Sequence, residues 1–138
     1  STAYTLTYSA GRKYVGRYTV TIRFKGNYSG SATKTFTIKP KTTSISGVAA
    51  AKNQLTIKWA KQSVQTTGYQ LQYSTSSTFA GAKTVTIAKP ATTSYTASKL
   101  MAKKKYYVRI RTYKKVTQNG TTKTYYSNWS STKSATTK

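Results

Sequence analysis

Apolar and polar residues alternate with a period of two along most of this chain. Tyr18, Val20, Ile22 and Phe24 are interleaved with Thr19, Thr21 and Arg23, a pattern that puts one apolar face on a strand. Tyr4-Thr5-Leu6-Thr7-Tyr8 alternates before a break at Ser9-Ala10-Gly11. Thr33 to Ile38 alternates again after the turn Gly26-Asn27-Tyr28-Ser29-Gly30, with Phe36 and Ile38 on one side. Pro40 and the run Lys41-Thr42-Thr43-Ser44 then read as a linker. Beyond it, about seven strand-like runs separated by turn signals predict a sandwich over residues 44–138. Ile45 to Ala49 opens the set, followed by Leu55, Ile57 and Trp59. Tyr69, Leu71 and Tyr73 come after a turn at Thr66-Thr67-Gly68, then Val85 and Ile87 before Lys89-Pro90, then Tyr95. Tyr106, Val108 and Ile110 alternate with Tyr107, Arg109 and Arg111. Asn119-Gly120 predicts a tight hairpin, and the last strand is expected to run through Tyr125, Tyr126 and Trp129.

Composition sharpens the fold class. The apolar share is low at 36%, but it sits in strand formers, with 13 Tyr, two Trp and three Phe beside many Val, Ile and Thr. An all-β chain is expected. Low hydrophobicity with high charge can also mean disorder, and the clean alternation argues against it. No stretch of 18 apolar residues exists to cross a bilayer as a helix.

Charge then removes whole classes of function. The chain has 24 Lys and Arg but no Asp, Glu, His or Cys, where usual composition would supply roughly 15 carboxylates. Paired carboxylates, Ser-His-Asp triads and oxygen cages for calcium or magnesium cannot be built. Zinc sites, thiol catalysis and disulfides go with the cysteines. An enzyme is not expected, and no cofactor or metal is expected either. With a net charge of +24 the folded chain repels itself, so salt and polyanions should favour folding by screening.

Two family resemblances emerge from particular residues. Tyr14-Val15-Gly16-Arg17-Tyr18-Thr19-Val20-Thr21, then Lys25-Gly26-Asn27-Tyr28-Ser29-Gly30 and Lys34-Thr35-Phe36-Thr37-Ile38, resembles the closing half of bacterial Ig-like repeats of Gram-positive surface proteins. A whole repeat would need several more strands, so the chain is expected to be part of a longer protein. Leu55-Thr56-Ile57-Lys58-Trp59, the Leu100 and Tyr106 pair with five residues between, and the run Tyr106, Val108, Ile110 resemble a fibronectin type III domain. That resemblance implies a B-strand tryptophan at Trp59. It also makes Tyr106 a tyrosine-corner residue, with its ring in the core and its hydroxyl bonded to upstream backbone. Residues 1–40 are thus expected to be a three-strand partial Ig-like module, and residues 41–138 a type III β-sandwich.

Three constellations are candidates for function. Ser127-Asn128-Trp129-Ser130, with Tyr126 before it, is similar to the second half of the Trp-Ser-x-Trp-Ser box of cytokine-receptor type III domains. There, aromatic rings interleave with arginine planes, and Arg109 and Arg111 have the spacing to face outward beside Trp129; stiffening of that sheet edge is favoured as the ladder's role over direct ligand recognition. Lys103, Lys104, Lys105, Lys114, Lys115 and Lys123, with Arg109 and Arg111, are candidates for a polyanion-binding basic stripe down one face; the bland reading, and the favoured one, is a diffuse cationic surface. Tyr107, Tyr125 and Tyr126 are candidates for a carbohydrate platform or for cross-strand packing.

The expected role is a non-catalytic module of a secreted or wall-attached Gram-positive surface protein. It would space other domains and adhere to anionic polymers such as teichoic acid, sulfated glycans or, without sequence selection, nucleic acid. An anionic membrane surface is a further expected partner. The rival reading makes the acid-free composition itself the function, as in a cationic antimicrobial or supercharged carrier. The first 40 residues carry an apolar face that three strands cannot bury. It is expected to be covered by the following domain or, through self-association, by a second copy.

Overall fold

The computed structural model describes residues 3–138. The described residues are strand, turn and loop throughout. They form two compact units, divided between Lys39 and Pro40.

The first unit is an antiparallel meander of β1 (Tyr4–Tyr8), β2 (Gly16–Phe24) and β3 (Ser31–Ile38). Leu6 lies opposite Ile22, Tyr4 opposite Phe24 and Tyr18 opposite Phe36, so period-two alternation gathers the large apolar residues on one face. The β1–β2 connection is tied back by Tyr18, whose hydroxyl sits 2.7 Å from the Gly11 carbonyl and 3.0 Å from that of Tyr14. Within this unit Val15 and Tyr18 are buried, while Tyr4, Leu6, Tyr8 and Phe24 are 41% to 48% exposed.

The second unit is a two-sheet sandwich. One sheet runs β10 (Thr121–Tyr126), β9 (Lys105–Gln118), β6 (Gly68–Ser74), β7 (Lys83–Ile87), with β11 (Lys133–Thr136) also on β9. The other runs β4 (Ile45–Ala51), β5 (Gln54–Trp59), β8 (Ser94–Ala97). Leu55, Ile57, Leu71, Val108 and Ile110 are fully buried between them. Trp59 meets Tyr69 edge to face at 5.4 Å between ring centres, and the Tyr69 hydroxyl accepts the Gln62 amide at 2.7 Å. Tyr106 is buried, and its hydroxyl accepts the Met101 amide at 3.1 Å, closing the turn that carries buried Leu100. Asn119 and Gly120 both have positive φ, at 49° and 76°, as a two-residue hairpin turn requires.

One expected strand is corrected. The chain does not continue as strand through Trp129: β10 ends at Tyr126, and pairing with β9 resumes only at Lys133. The sandwich therefore has eight strands, β4 to β11, its last edge being split in two.

Candidate functional site: an arginine–aromatic ladder on the open sheet face

The split edge arises from how two serines bond to β9. Ser127 and Ser130 donate their amides to the carbonyls of Thr112 at 3.0 Å and Ile110 at 2.8 Å. Their hydroxyls take the place of strand carbonyls, accepting the Thr112 amide at 3.0 Å and the Ile110 amide at 3.1 Å. Three residues of loop thus cover a two-residue step of β9 while leaving these backbone groups satisfied. The extra length carries Trp129 over the outer face of the sheet, half-buried rather than in the core.

There Trp129 enters a stack. The Arg109 guanidinium carbon lies 4.1 Å from the Phe79 ring centre and 4.4 Å from that of Trp129. Arg111 lies 4.2 Å from Trp129 and 3.9 Å from Tyr126. The order is Phe79, Arg109, Trp129, Arg111, Tyr126, each cation held between two π-faces, and each contact contributes about 0.5–2 kcal/mol depending on desolvation. Two neighbours on β6 complete the fixing. Gln72 Oε1 accepts from Nε and Nη2 of Arg109 at 3.0 and 2.8 Å. Gln70 Oε1 accepts from the same two nitrogens of Arg111, with Nε at 2.8 Å. Register explains the pairing, since Gln72 lies opposite Arg109 and Gln70 opposite Arg111.

Electrostatically the ladder is uncompensated. Glutamine orients a guanidinium without neutralising it, and the chain has no carboxylate side chain to do so. Burial draws the Arg111 pKa below its ordinary value; Tyr126 opposes that shift and Arg109 adds to it. A guanidinium still stays charged throughout the physiological range. At the ladder's end, Gln70, Thr86, Tyr113, Lys115, Thr124 and Tyr126 line a small hollow of about 60 Å³. Tyr113 beneath it is buried, which pushes its phenol pKa up.

The expected basic stripe divides. Alternation along β9 puts Lys105 and Lys115 on the ladder's face with Arg109 and Arg111, while Lys114 falls on the opposite face. Lys123 pairs with Val116 and therefore shares Lys114's face. Lys103 and Lys104 sit in the turn before β9, Lys103 with φ of 50°. The same parity separates the aromatic candidates. Tyr107 and Tyr126 share the ladder's face, whereas Tyr125 lies opposite Lys114 on the other. Trp59, Leu100 and Tyr106 serve the core and its closing turn, whereas Trp129 belongs to the outer face. Phe79, Gln70 and Gln72 were not legible as ladder members. The glutamines' alternate spacing was the available signal; Phe79, in a loop with φ of 61°, gave none.

Comparison with solved structures places this architecture. The chain is similar to the crystal structure of chicken CNTN1 FN1–FN3 domains at 16% identity and a TM-score of 0.58, covering 90% of this chain and 43% of that one. It is similar to a beta-1,2-glucanase from Parabacteroides distasonis at 20% identity and a TM-score of 0.51, covering 86% of this chain and 17% of the glucanase. A segment of two fibronectin type III domains from chicken tenascin aligns at 21% identity and a TM-score of 0.48, covering 90% of this chain and 65% of the segment. The chain thus spans less than two thirds of each of these chains, and the likeness is one of fold. No curated protein matches it. At the level of sequence, residues 38–128 match the fibronectin type III domain family, whose members are generally non-enzymatic modules and typically extracellular. That match covers well over half of the chain, which therefore belongs to the fibronectin type III domain family.

Proposed function

We propose that this chain is a non-catalytic extracellular module of a bacterial surface protein, of the Gram-positive wall-attached or secreted kind, that spaces neighbouring domains and adheres to anionic polymers. One observation carries the reading. Arg109 and Arg111 are cations held rigid by stacking and by glutamine, with no acid to neutralise them. Lys105 and Lys115 extend the same face. Prefixed charges bind without the ordering cost that mobile side chains incur. Teichoic acid, sulfated glycans and nucleic acid backbones supply the complementary charge. We further read residues 1–40 as the closing half of a bacterial Ig-like repeat; a three-stranded antiparallel sheet with its large apolar residues on one face supports this.

The test is a titration with heparin and with duplex DNA at two salt concentrations. Affinity should fall with salt at a slope near −0.9 per neutralised phosphate on duplex DNA and depend little on base sequence. Replacing Lys105 and Lys115 together by Gln should shrink that slope, while Lys114→Gln with Lys123→Gln should change it less. Salt-insensitive or strongly sequence-selective binding overturns the reading.

The exposed apolar face of the first unit favours a second reading, a cationic membrane-binding protein. Leakage from anionic but not zwitterionic vesicles would support it. A spacer module should bind the anionic vesicles without opening them.

A further inference from the structure

A second concave site lies in the sandwich, away from the ladder. Where β6 ends and β7 begins, the turn between β8 and β9 closes a cleft of about 360 Å³. That volume lies within the range of small-molecule sites. Its floor is the outer edge of the core, formed by Tyr73, Leu100 and Tyr106, all buried. Its rim carries Lys83, Lys99 and Met101, the last 56% exposed.

The walls are already fixed. The Tyr106 hydroxyl holds the Met101 amide at 3.1 Å. Asn53 clamps Leu100 from both sides, its carbonyl accepting the Leu100 amide at 2.9 Å and its side-chain amide donating to the Leu100 carbonyl at 2.7 Å. Opposite, the Ser74 hydroxyl donates to the Ala80 carbonyl at 2.9 Å. Lys99 is the telling residue. It has φ of 58°, left-handed backbone that glycine or asparagine adopts at least cost. A lysine there keeps a cation at the rim against the backbone's preference.

We propose that this cleft binds a small organic anion with an apolar body, such as an aromatic or short-chain carboxylate. The body lies on Tyr73, Leu100, Tyr106 and Met101, and the carboxylate faces Lys83 and Lys99. An apolar floor with two cations and no carboxylate side chain is matched to an amphiphilic anion. A bare inorganic anion gains nothing from the floor, and a neutral ring gains nothing from the rim.

Met101 is the sole methionine, so its methyl carbon–proton resonance reports on the cleft alone. The experiment titrates the whole chain at physiological ionic strength with benzoate, benzyl alcohol and inorganic phosphate. Benzoate should shift the Met101 methyl saturably, with an affinity at least tenfold above those of the other two. Lys99→Gly suits the left-handed backbone, so it should leave the fold intact while weakening benzoate at least fivefold; Lys83→Gln should weaken it in the same direction. Benzyl alcohol binding as well as benzoate would reduce the site to an apolar hollow. Phosphate binding as well would reduce it to the general cationic field. No benzoate shift, or unchanged affinity in folded Lys99→Gly, overturns the proposal.

Discussion

The two units are written in one chemical language and end differently. Both alternate aromatic and β-branched residues with threonine, and neither has an acid. In the sandwich, Leu55, Ile57, Leu71, Val108 and Ile110 lose all solvent contact. In the three-stranded unit, Leu6 stays 46% exposed although it too faces its partner strand's apolar side. Alternation makes a strand; only a second layer makes a core. Each unit also uses a tyrosine hydroxyl to fasten a turn, as Tyr18 does in the first and Tyr106 in the second. Side chain–to–backbone fastening therefore does not require a sandwich.

This contrast can be broken by mutation. Leu55→Ala should cost about 2–5 kcal/mol, as filled core sites do. Leu6→Ala, at an exposed site, should cost less than about 1 kcal/mol. Urea unfolding followed by circular dichroism reads both, and similar losses would mean that the first unit has a core after all. Next comes Gly68→Ala. A Cβ there would sit 2.0 Å from the Ile87 carbonyl oxygen, so β6 and β7 must part at a cost of about 1–3 kcal/mol. Gly47→Ala, with nothing within 4 Å, is the silent control, and thermal melts of both variants decide.

A smaller effect sharpens the tyrosine parallel. Tyr106→Phe and Tyr18→Phe should each lose about 1 kcal/mol, the net worth of one hydrogen bond. The first should appear in tryptophan fluorescence, since Trp59 and Trp129 both lie in the sandwich, and the second in proteolysis of the first 39 residues. Smallest of all is the response to acid. With no Asp, Glu or His, stability should stay nearly flat from about pH 5 to 9. Above that range the sandwich should weaken. Tyr73 and Tyr113 have pKa values raised by burial, so they favour the folded state below the ordinary phenol value and lose that contribution as pH rises through the raised one. A melting temperature that fell between pH 7 and 5 would contradict this.

The strands of both units were legible because a half-buried sheet must alternate. The fastened turn at Leu100 and Tyr106 came from the type III resemblance, and the ladder around Trp129 from the likeness of Ser127-Asn128-Trp129-Ser130 to the cytokine-receptor box. The split edge was not legible, because a serine hydroxyl standing in for a backbone carbonyl leaves no trace in hydrophobic periodicity. The divided stripe was half legible. Lys114 differs in parity from Arg111, which suffices to put it on the other face. Lys123 required the hairpin register, which the two-residue Asn119-Gly120 turn fixes by pairing Gln118 with Thr121. Phe79 reaches Arg109 from a left-handed loop position, and no local pattern encodes such a reach.

The fastening of Lys138 has a mechanical consequence. β4 begins with Ile45 opposite Trp59 and ends with Ala51 opposite Gln54, at the hairpin into β5. At that same end the Lys138 amide donates to the Ala51 carbonyl at 3.1 Å, and the Asn53 amide donates to the Lys138 carbonyl at 3.4 Å. β4 therefore starts at one pole and Lys138 is pinned at the other, about 20 Å away along the six steps of a seven-residue strand. A pull on the two ends runs parallel to the strands. It must slide β4 along β5 and β11 along β9, rupturing their rungs together instead of peeling them apart one at a time.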